Sequence, residues 1–91
     1  MAVSAASVPR FAPQVVFRYD ERRARWIVLA PERLFMPDDI AVEILKCCDG
    51  KSAVAAIADQ LAARFKAHRA VVEQDVTAML QDLVDQGVLE A

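Results

Sequence analysis

Residues 33–45 read RLFMPDDIAVEIL, and the change of pattern within this stretch decides the fold. Its first four residues form a short apolar piece of extended chain, and Pro37 closes that piece, as proline does at a sheet edge. From there the apolar residues recur at helical spacing, and Asp38 or Asp39 is placed to cap the new helix at the positive end of its dipole. The stretch therefore predicts an edge strand followed at once by a helix.

Two more strands are predicted upstream of this switch. Residues 15–20 (VVFRYD) alternate between two faces, and residues 26–30 (WIVLA) are dense in β-forming types. The polar residues 21–25 connect them, which is typical of a hairpin. Residues 33–36 then form the third strand of a three-stranded antiparallel sheet.

Two more helices are predicted downstream. Asp49-Gly50 ends the first helix, Ser52 caps the second, and the third runs from about Ala70 to Gln86 with Gly87 as its stop. The residues on the three apolar stripes are Ile40, Ala41, Ile44, Leu45, Cys47 and Cys48 in the first, Val54, Ile57, Ala58, Leu61 and Phe65 in the second, and Val72, Val76, Met79, Leu80 and Leu83 in the third. A sheet followed by three helices is an α+β fold, here a small winged helix-turn-helix.

Length and charge limit the classes of function. The chain has 91 residues and a net charge of −2, which favours one small domain with no general attraction to nucleic acid or anionic membrane. We assign residues 1–14 to a flexible tail and residues 15–91 to the folded domain. No apolar run reaches the ~20 residues that span a bilayer, and the start of the chain lacks the pattern of a secretory signal, so we expect a cytoplasmic protein.

Residues 46–52 (KCCDGKS) resemble a phosphate-binding loop and a cysteine site, but they lack the pattern that either site needs. A phosphate-binding loop needs an earlier glycine where this chain has Leu45, and it needs a preceding strand instead of a helix. Cys47 and Cys48 are adjacent on a helix, so their side chains diverge, and both continue an apolar stripe. We therefore expect a corner between two helices, with no nucleotide, no metal and no cofactor.

Catalysis and DNA binding are both disfavoured. The chain has one histidine, His68, and its serines lie in the predicted tail or at the predicted cap Ser52, so no nucleophile and base are expected to meet. From Ala70 to the end there are five acidic residues and no lysine or arginine. A recognition helix of that charge repels the DNA backbone. We therefore do not expect an enzyme, and DNA binding is the less favoured alternative.

The remaining feature is the exposed edge strand at residues 33–36. An unpaired strand edge is a template for another chain, and peptide-binding domains use it by strand addition. Six arginines lie in the N-terminal third of the chain, which is typical of a solvated hairpin surface and also suits a charged peptide. A peptide-binding module is therefore the function that the residues favour.

Several strings at fixed spacing resemble the PqqD family, pyrroloquinoline quinone (PQQ) biosynthesis protein D. They are VLAPER at 28–33, IAVEIL at 40–45, CDG at 48–50, DV at 75–76 and LQDL at 80–83, and the likeness covers roughly residues 15–90. No single string is diagnostic, but the set is specific when taken together. Two departures are the MPDD stretch at 36–39 and Cys47 in place of an aliphatic residue.

The resemblance implies a RiPP recognition element, a small winged helix that binds peptides. Members of this family bind the precursor peptide PqqA and present it to PqqE, a radical SAM enzyme that crosslinks a Glu and a Tyr of the peptide. The peptide adds to the third strand and lies against the third helix. Carried onto this chain, the strand residues are Arg33, Leu34, Phe35 and Met36, and the helix residues are Val71, Asp75, Val76 and Met79. Arg33 is expected to pair with a peptide acid.

Two other functions stay open at this point, a winged-helix DNA-binding regulator and a structural homodimer without a peptide ligand. A monomer and a homodimer both fit the sequence. Pro31 or Asp49-Gly50 is a short hinge that would allow segment exchange between copies.

Overall fold

The computed structural model of the protein describes residues 2–91, and the strand-to-helix switch lies where the sequence predicts it. A three-stranded antiparallel sheet in the order β2-β3-β4 is followed by three helices. The elements are β1 (Arg10–Phe11), β2 (Val16–Asp20), β3 (Arg25–Ala30), β4 (Arg33–Phe35), α1 (Asp39–Leu45), α2 (Val54–Phe65), α3 (Arg69–Asp85) and β5 (Leu89–Glu90). The predicted α+β winged helix is confirmed, with one small strand pair, β1 and β5, in addition.

Asp20 fixes the turn that joins β2 to β3. One oxygen of its carboxylate accepts hydrogen bonds from the backbone N–H groups of Arg22 and Arg23, at 2.9 and 3.2 Å. The other oxygen accepts from the Arg23 guanidinium at 2.6 Å. These bonds, the one from the Arg23 side chain above all, hold the pKa of Asp20 below its ordinary value of 3.8. The turn thereby sets the register in which Asp20 opposes Arg25, and this register places β3 at the centre of the sheet.

The first helix begins as predicted but is shorter. Asp38 is its cap, and its carboxylate accepts a hydrogen bond from the Ala41 N–H at 2.8 Å. Ile44 and Leu45 are buried, whereas Ile40 is 74% exposed. The prediction that Ile40 belongs to the core stripe is wrong, because Ile40 lies in the first turn of this seven-residue helix, whereas the buried residues Val42, Ile44 and Leu45 all come later.

The corner between α1 and α2 is held by Asp49. Its carboxylate accepts from the backbone N–H groups of Lys51 and Ser52, at 2.8 and 3.0 Å, and occupies the amides that a phosphate-binding loop would present. Gly50 has φ +75°, the left-handed conformation expected at this corner. Ser52 is not the cap of α2, which begins two residues later after Ala53, and Ala53 makes no side-chain cap.

The N-terminal segment takes over the capping of α2. The carbonyl oxygens of Ala5 and Ser7 accept from the N–H groups of Ala55 and Val54, at 3.0 and 2.8 Å. Val3 is buried in the core, and its N–H donates to the Gln81 side chain of α3 at 2.7 Å.

This packing corrects the prediction that residues 1–14 are a tail outside the domain. Residues 10 and 11 form β1, which pairs with β5 in the register Arg10 to Glu90 and Phe11 to Leu89. The physical reason is that the first amides of α2 have no side-chain acceptor, so backbone carbonyls of the N-terminal segment satisfy them. Met1, the first residue of the predicted tail, lies outside the described residues.

The core lies between the sheet and the α2–α3 pair. Its most deeply buried large side chains are Ile27, Ile57, Leu80 and Leu89. Phe65, predicted to join them, is instead 57% exposed, because α2 ends there and Lys66 turns the chain into the left-handed region at φ 52°. Gly87 stops α3 as predicted, at φ +79°. Within residues 2–91, no helix has both the length and the apolar character needed to cross a membrane.

Both cysteines lie just after α1 and serve packing. Cys48 is buried, and its Sγ lies 3.5 Å from the Ile44 carbonyl oxygen, while Cys47 is half-buried. Burial raises the pKa of both thiols, that of Cys48 to about 12. The part of the chain that the structure describes has no group of three His, Cys, Asp or Glu residues arranged around a metal position.

We expect removal of residues 1–7 to destabilise the protein by about 2–5 kcal/mol, because the deletion takes away the burial of Val3 and two hydrogen bonds to α2. Urea unfolding followed by the fluorescence of Trp26 measures the change. The matched control is Val8→Ser, which alters an exposed side chain of the same segment and keeps the capping carbonyls. Equal urea midpoints for the deletion and the unmodified protein would contradict the capping role.

We expect Cys48 to resist alkylation in the folded protein. With a pKa of about 12, only about one thiol in 10,000 is a thiolate at pH 8, and the side chain is covered. The test uses the Cys47→Ser variant, whose single thiol is Cys48, and mass spectrometry after iodoacetamide treatment with and without urea. The Cys48→Ser variant is the control for the half-buried thiol. Full alkylation of Cys48 before unfolding would contradict its place in the core.

Candidate peptide-binding groove

β4 is one of the two edge strands of the three-stranded sheet, and β2 is the other. β3 lies on one side of β4, and no strand within residues 2–91 lies on the other. Ala30 and Arg33 are partners across a two-residue loop in which Glu32 takes the left-handed conformation at φ 61°. Such a closing pair exchanges both backbone hydrogen bonds, and the pairing alternates along the strand. The N–H and C=O of Leu34 therefore point away from β3 and are free to bind another strand.

The side chains that follow this edge form one wall of a hollow of about 310 Å³. Phe35 and Met36 supply this wall, and Met79 and Asp82 of α3 face them. Phe35 is half-buried against the core, whereas Met36 and Leu34 are exposed. A peptide strand on β4 would therefore place alternate side chains against an apolar surface that is already formed. We call this hollow the edge groove.

One stripe of α3 faces the edge groove and the surface next to it. Val71, Asp75 and Met79 recur every four residues, and Asp82 and Gln86 continue the stripe at helical spacing. Val71 and Asp75 are exposed, Met79 is half-buried, and Met79 is the only one of the predicted helix residues that lines the edge groove. Val76 is 1% exposed and belongs to the core. Asp82 also lines the edge groove. It was not among the predicted residues, although the helical period of the stripe points to it.

Arg33 closes one end of the edge groove. Its guanidinium donates to the Gln86 carbonyl oxygen at 2.7 Å and lies 5.3 Å from the centre of the Phe35 ring. The side chain thus bridges β4 and the end of α3. The pairing of Arg33 with a peptide acid stays a prediction, and it would use the guanidinium N–H groups that point away from Gln86.

Arg25 limits the other end of the strand edge. Its guanidinium donates to the carbonyl oxygens of Met36 and Pro37, at 3.1 Å each. Pro37 has no N–H to offer, so the backbone beyond Met36 has little left for a ladder. This contact could not be predicted, because Arg25 is one of several arginines around the hairpin and its reach depends on the register of β3 with β4.

In a DNA-binding winged helix, the third helix enters the major groove. Its counterpart here, α3, has no lysine or arginine side chain that is free to bind phosphate. Arg69 is the one lysine or arginine in α3, and its guanidinium is bonded to Asp59, to Glu73 at 3.0 Å and to the Ala55 carbonyl oxygen at 3.1 Å. Phosphate contacts need such groups unpaired. The surface of α3 therefore suits a peptide better than a nucleic acid.

Comparison with known proteins identifies the family to which this chain belongs. The sequence model of the family described as coenzyme PQQ synthesis protein D (PqqD) matches residues 25–89. A protein of Rhodopseudomonas palustris strain BisB5, named PqqA binding protein, is 55% identical over 89 residues, which are 98% of this chain and 87% of the relative.

Two solved structures share the fold. The PqqD truncation of Methylobacterium extorquens PqqCD, described as a functional, stand-alone RiPP recognition element, is 42% identical with a TM-score of 0.83, and the match covers 99% of this chain and 96% of that one. A lasso peptide synthetase B1 complexed with its leader peptide is 17% identical with a TM-score of 0.79, over 93% of this chain and all of that one, and shows the shared fold alone. The matches over nearly the whole length establish that this chain belongs to the PqqD family.

Proposed function

We propose that this protein is a peptide-binding adaptor in PQQ biosynthesis, which binds the precursor PqqA by strand addition to β4 and presents it to the radical SAM enzyme PqqE. The observation that carries the proposal is the open edge of β4, with the backbone groups of Leu34 pointing outward beside the edge groove. The name of the 55% identical relative, PqqA binding protein, supports the choice of peptide.

What the site contains supports the adaptor role. Its lining side chains are mostly apolar, with two carboxylates and one amide, and groups of these types can select and orient a peptide. We assign bond formation to the enzyme PqqE and two roles to this protein. It orders a flexible substrate, and it raises the concentration of that substrate at the enzyme.

The edge groove alone gives modest affinity. The two backbone bonds of Leu34 and the burial of about two apolar side chains contribute roughly 4–9 kcal/mol in total. The loss of translational and rotational freedom on association costs about 4 kcal/mol or more. Micromolar binding requires about −8 kcal/mol net, so binding of that strength would need contacts outside the strand.

We expect Leu34→Pro to weaken PqqA binding by about tenfold or more. Proline removes the outward N–H and places its ring at the edge, while the inward hydrogen bonds of Arg33 and Phe35 to β3 stay in place. The measurement is the dissociation constant for fluorescently labelled PqqA, with circular dichroism to verify the fold. The rate at which PqqE modifies PqqA in the presence of the variant gives a second readout.

The matched control is Leu34→Ala, which shortens the same exposed side chain and keeps the N–H. Its effect on PqqA binding is expected to be smaller than that of proline, because strand addition uses the backbone. If the folded proline variant bound PqqA as tightly as the unmodified protein, strand addition at β4 would be refuted.

A further inference from the structure

A second and larger hollow lies next to the edge groove. Its volume is about 1060 Å³, against about 310 Å³ for the edge groove. Pro37 lines both hollows and is the ridge between them. The name "aromatic hollow" refers to the surface formed by Tyr19, Trp26, Ile40, Leu61, Phe65 and Val76.

The aromatic hollow leaves large apolar side chains uncovered. Ile40, Phe65 and Tyr19 line it and are 74%, 57% and 46% exposed. Ile40 and Phe65 are the two side chains that helical periodicity assigned to the core and that the fold leaves outside. Exposed apolar side chains gathered around one concave surface mark a binding site.

The two hollows adjoin at Pro37, and together they form a trough along α3. Asp75 and Val76 line the aromatic hollow, and Met79, one turn later on the helix, lines the edge groove. On the opposite wall, Met36 lines the edge groove and Pro37 follows it into the aromatic hollow. A chain paired with β4 that continues past Met36 therefore enters the aromatic hollow directly.

The cations around the aromatic hollow are already engaged. Lys46 and Arg64 both pair with the Glu43 carboxylate, and these contacts, the one with Arg64 above all, lower the pKa of Glu43. Arg25 donates to the carbonyl oxygens at the end of the strand edge. These contacts hold the three side chains in place, but Glu43 neutralises only one of their positive charges, because the carbonyl oxygens carry no net charge.

The carboxylate at the α3 wall has no such partner. Asp75 is exposed, lines the aromatic hollow and makes no ion pair within residues 2–91. Asp39, on the facing wall, is likewise without an ion pair in the described chain. The lining residues as a whole carry three positive and three negative charges, so the complementarity to a peptide lysine or arginine is local to the unpaired carboxylates Asp75 and Asp39.

We propose that the aromatic hollow is a second anchoring site for the same precursor peptide. It takes a large apolar or aromatic side chain from the segment that flanks the added strand, and a neighbouring cationic side chain of the peptide pairs with Asp75. The inference rests on the proposed function and supplies the affinity that the strand edge lacks. An antiparallel strand on β4 places its N-terminal flank at the aromatic hollow, because β4 runs from Arg33 towards Pro37.

Trp26 gives a direct readout of occupancy. It is the only tryptophan of the chain and lines the aromatic hollow. Its ring stacks on Phe17 at 4.8 Å, and the Lys46 Nζ lies 5.0 Å from its centre. A side chain that enters the aromatic hollow changes the surroundings of this ring, so its emission is expected to shift when PqqA with all tryptophans replaced by phenylalanine is added.

The test compares variants of the exposed rim with full-length and truncated PqqA. Ile40→Ser and Phe65→Ser are each expected to weaken full-length PqqA about tenfold or more. A peptide cut back to the segment that pairs with β4 should bind these variants and the unmodified protein equally. The matched control is Val16→Ser, an exposed apolar residue on β2 away from both hollows, with no effect on either peptide.

The Asp75→Asn variant tests whether a cationic side chain of the peptide pairs with Asp75. This variant is expected to weaken full-length PqqA several-fold at low salt and less at high salt, because the pair is exposed and screened. Replacing the lysine and arginine residues of the flank by glutamine in the peptide should remove the difference between the variant and the unmodified protein. If Asp75→Asn weakened the binding of the unmodified and the glutamine-substituted peptide equally, and at both salt concentrations, the pairing of Asp75 with a peptide cation would be refuted.

The outcomes separate this inference from the proposed function. If Leu34→Pro weakens PqqA and the rim variants bind full-length PqqA within twofold of the unmodified protein, the second anchor is refuted and strand addition stands. In that case a change in the sedimentation of the rim variants would assign the aromatic hollow to a second copy, and a loss of PqqE binding would assign it to the enzyme. If the rim variants weaken PqqA and Leu34→Pro does not, the aromatic hollow is supported and strand addition fails.

Discussion

Pro37 is the constraint on which the binding surface depends. Because proline has no N–H, the ladder on β4 ends after Phe35, and Asp38 can then cap α1 at once. The short strand leaves one outward pair of backbone groups, on Leu34, instead of a long edge that would invite aggregation. The same residue separates the edge groove from the aromatic hollow, so the position at which the chain changes from strand to helix also divides the surface into two parts.

The scaffold behind this surface is small and relies on backbone contacts that link distant segments. A domain of this size buries a modest share of its surface, so each uncapped helix end matters. Carbonyl oxygens of Ala5 and Ser7 complete α2, and β1 pairs with β5 at the end of the chain. These contacts tie the N-terminal segment both to α2 and to β5, the strand that follows α3.

The features that depend on neighbouring residues were predictable from local sequence patterns. The alternation in residues 15–30, the Asp38 cap and the two left-handed glycines followed from residue type and spacing, and the open edge followed from the place of Pro37. Contacts between distant segments were not predictable in the same way. Backbone carbonyls that cap α2 carry no side-chain signal, and the reach of Arg25 depends on register. On α3, the period placed Val76 on the apolar stripe and the family resemblance placed it on the binding face, and its burial agrees with the period.

The central claim is that a peptide adds to β4 through the backbone of Leu34. Amide hydrogen exchange, read residue by residue by NMR with and without saturating PqqA, tests it most directly. The account predicts that the Leu34 amide exchanges rapidly in the free protein and slowly in the complex. The Phe35 amide, which is bonded to β3 in both states, should change much less. An unchanged exchange rate at Leu34 under saturation would contradict strand addition and leave the open edge without its assigned role.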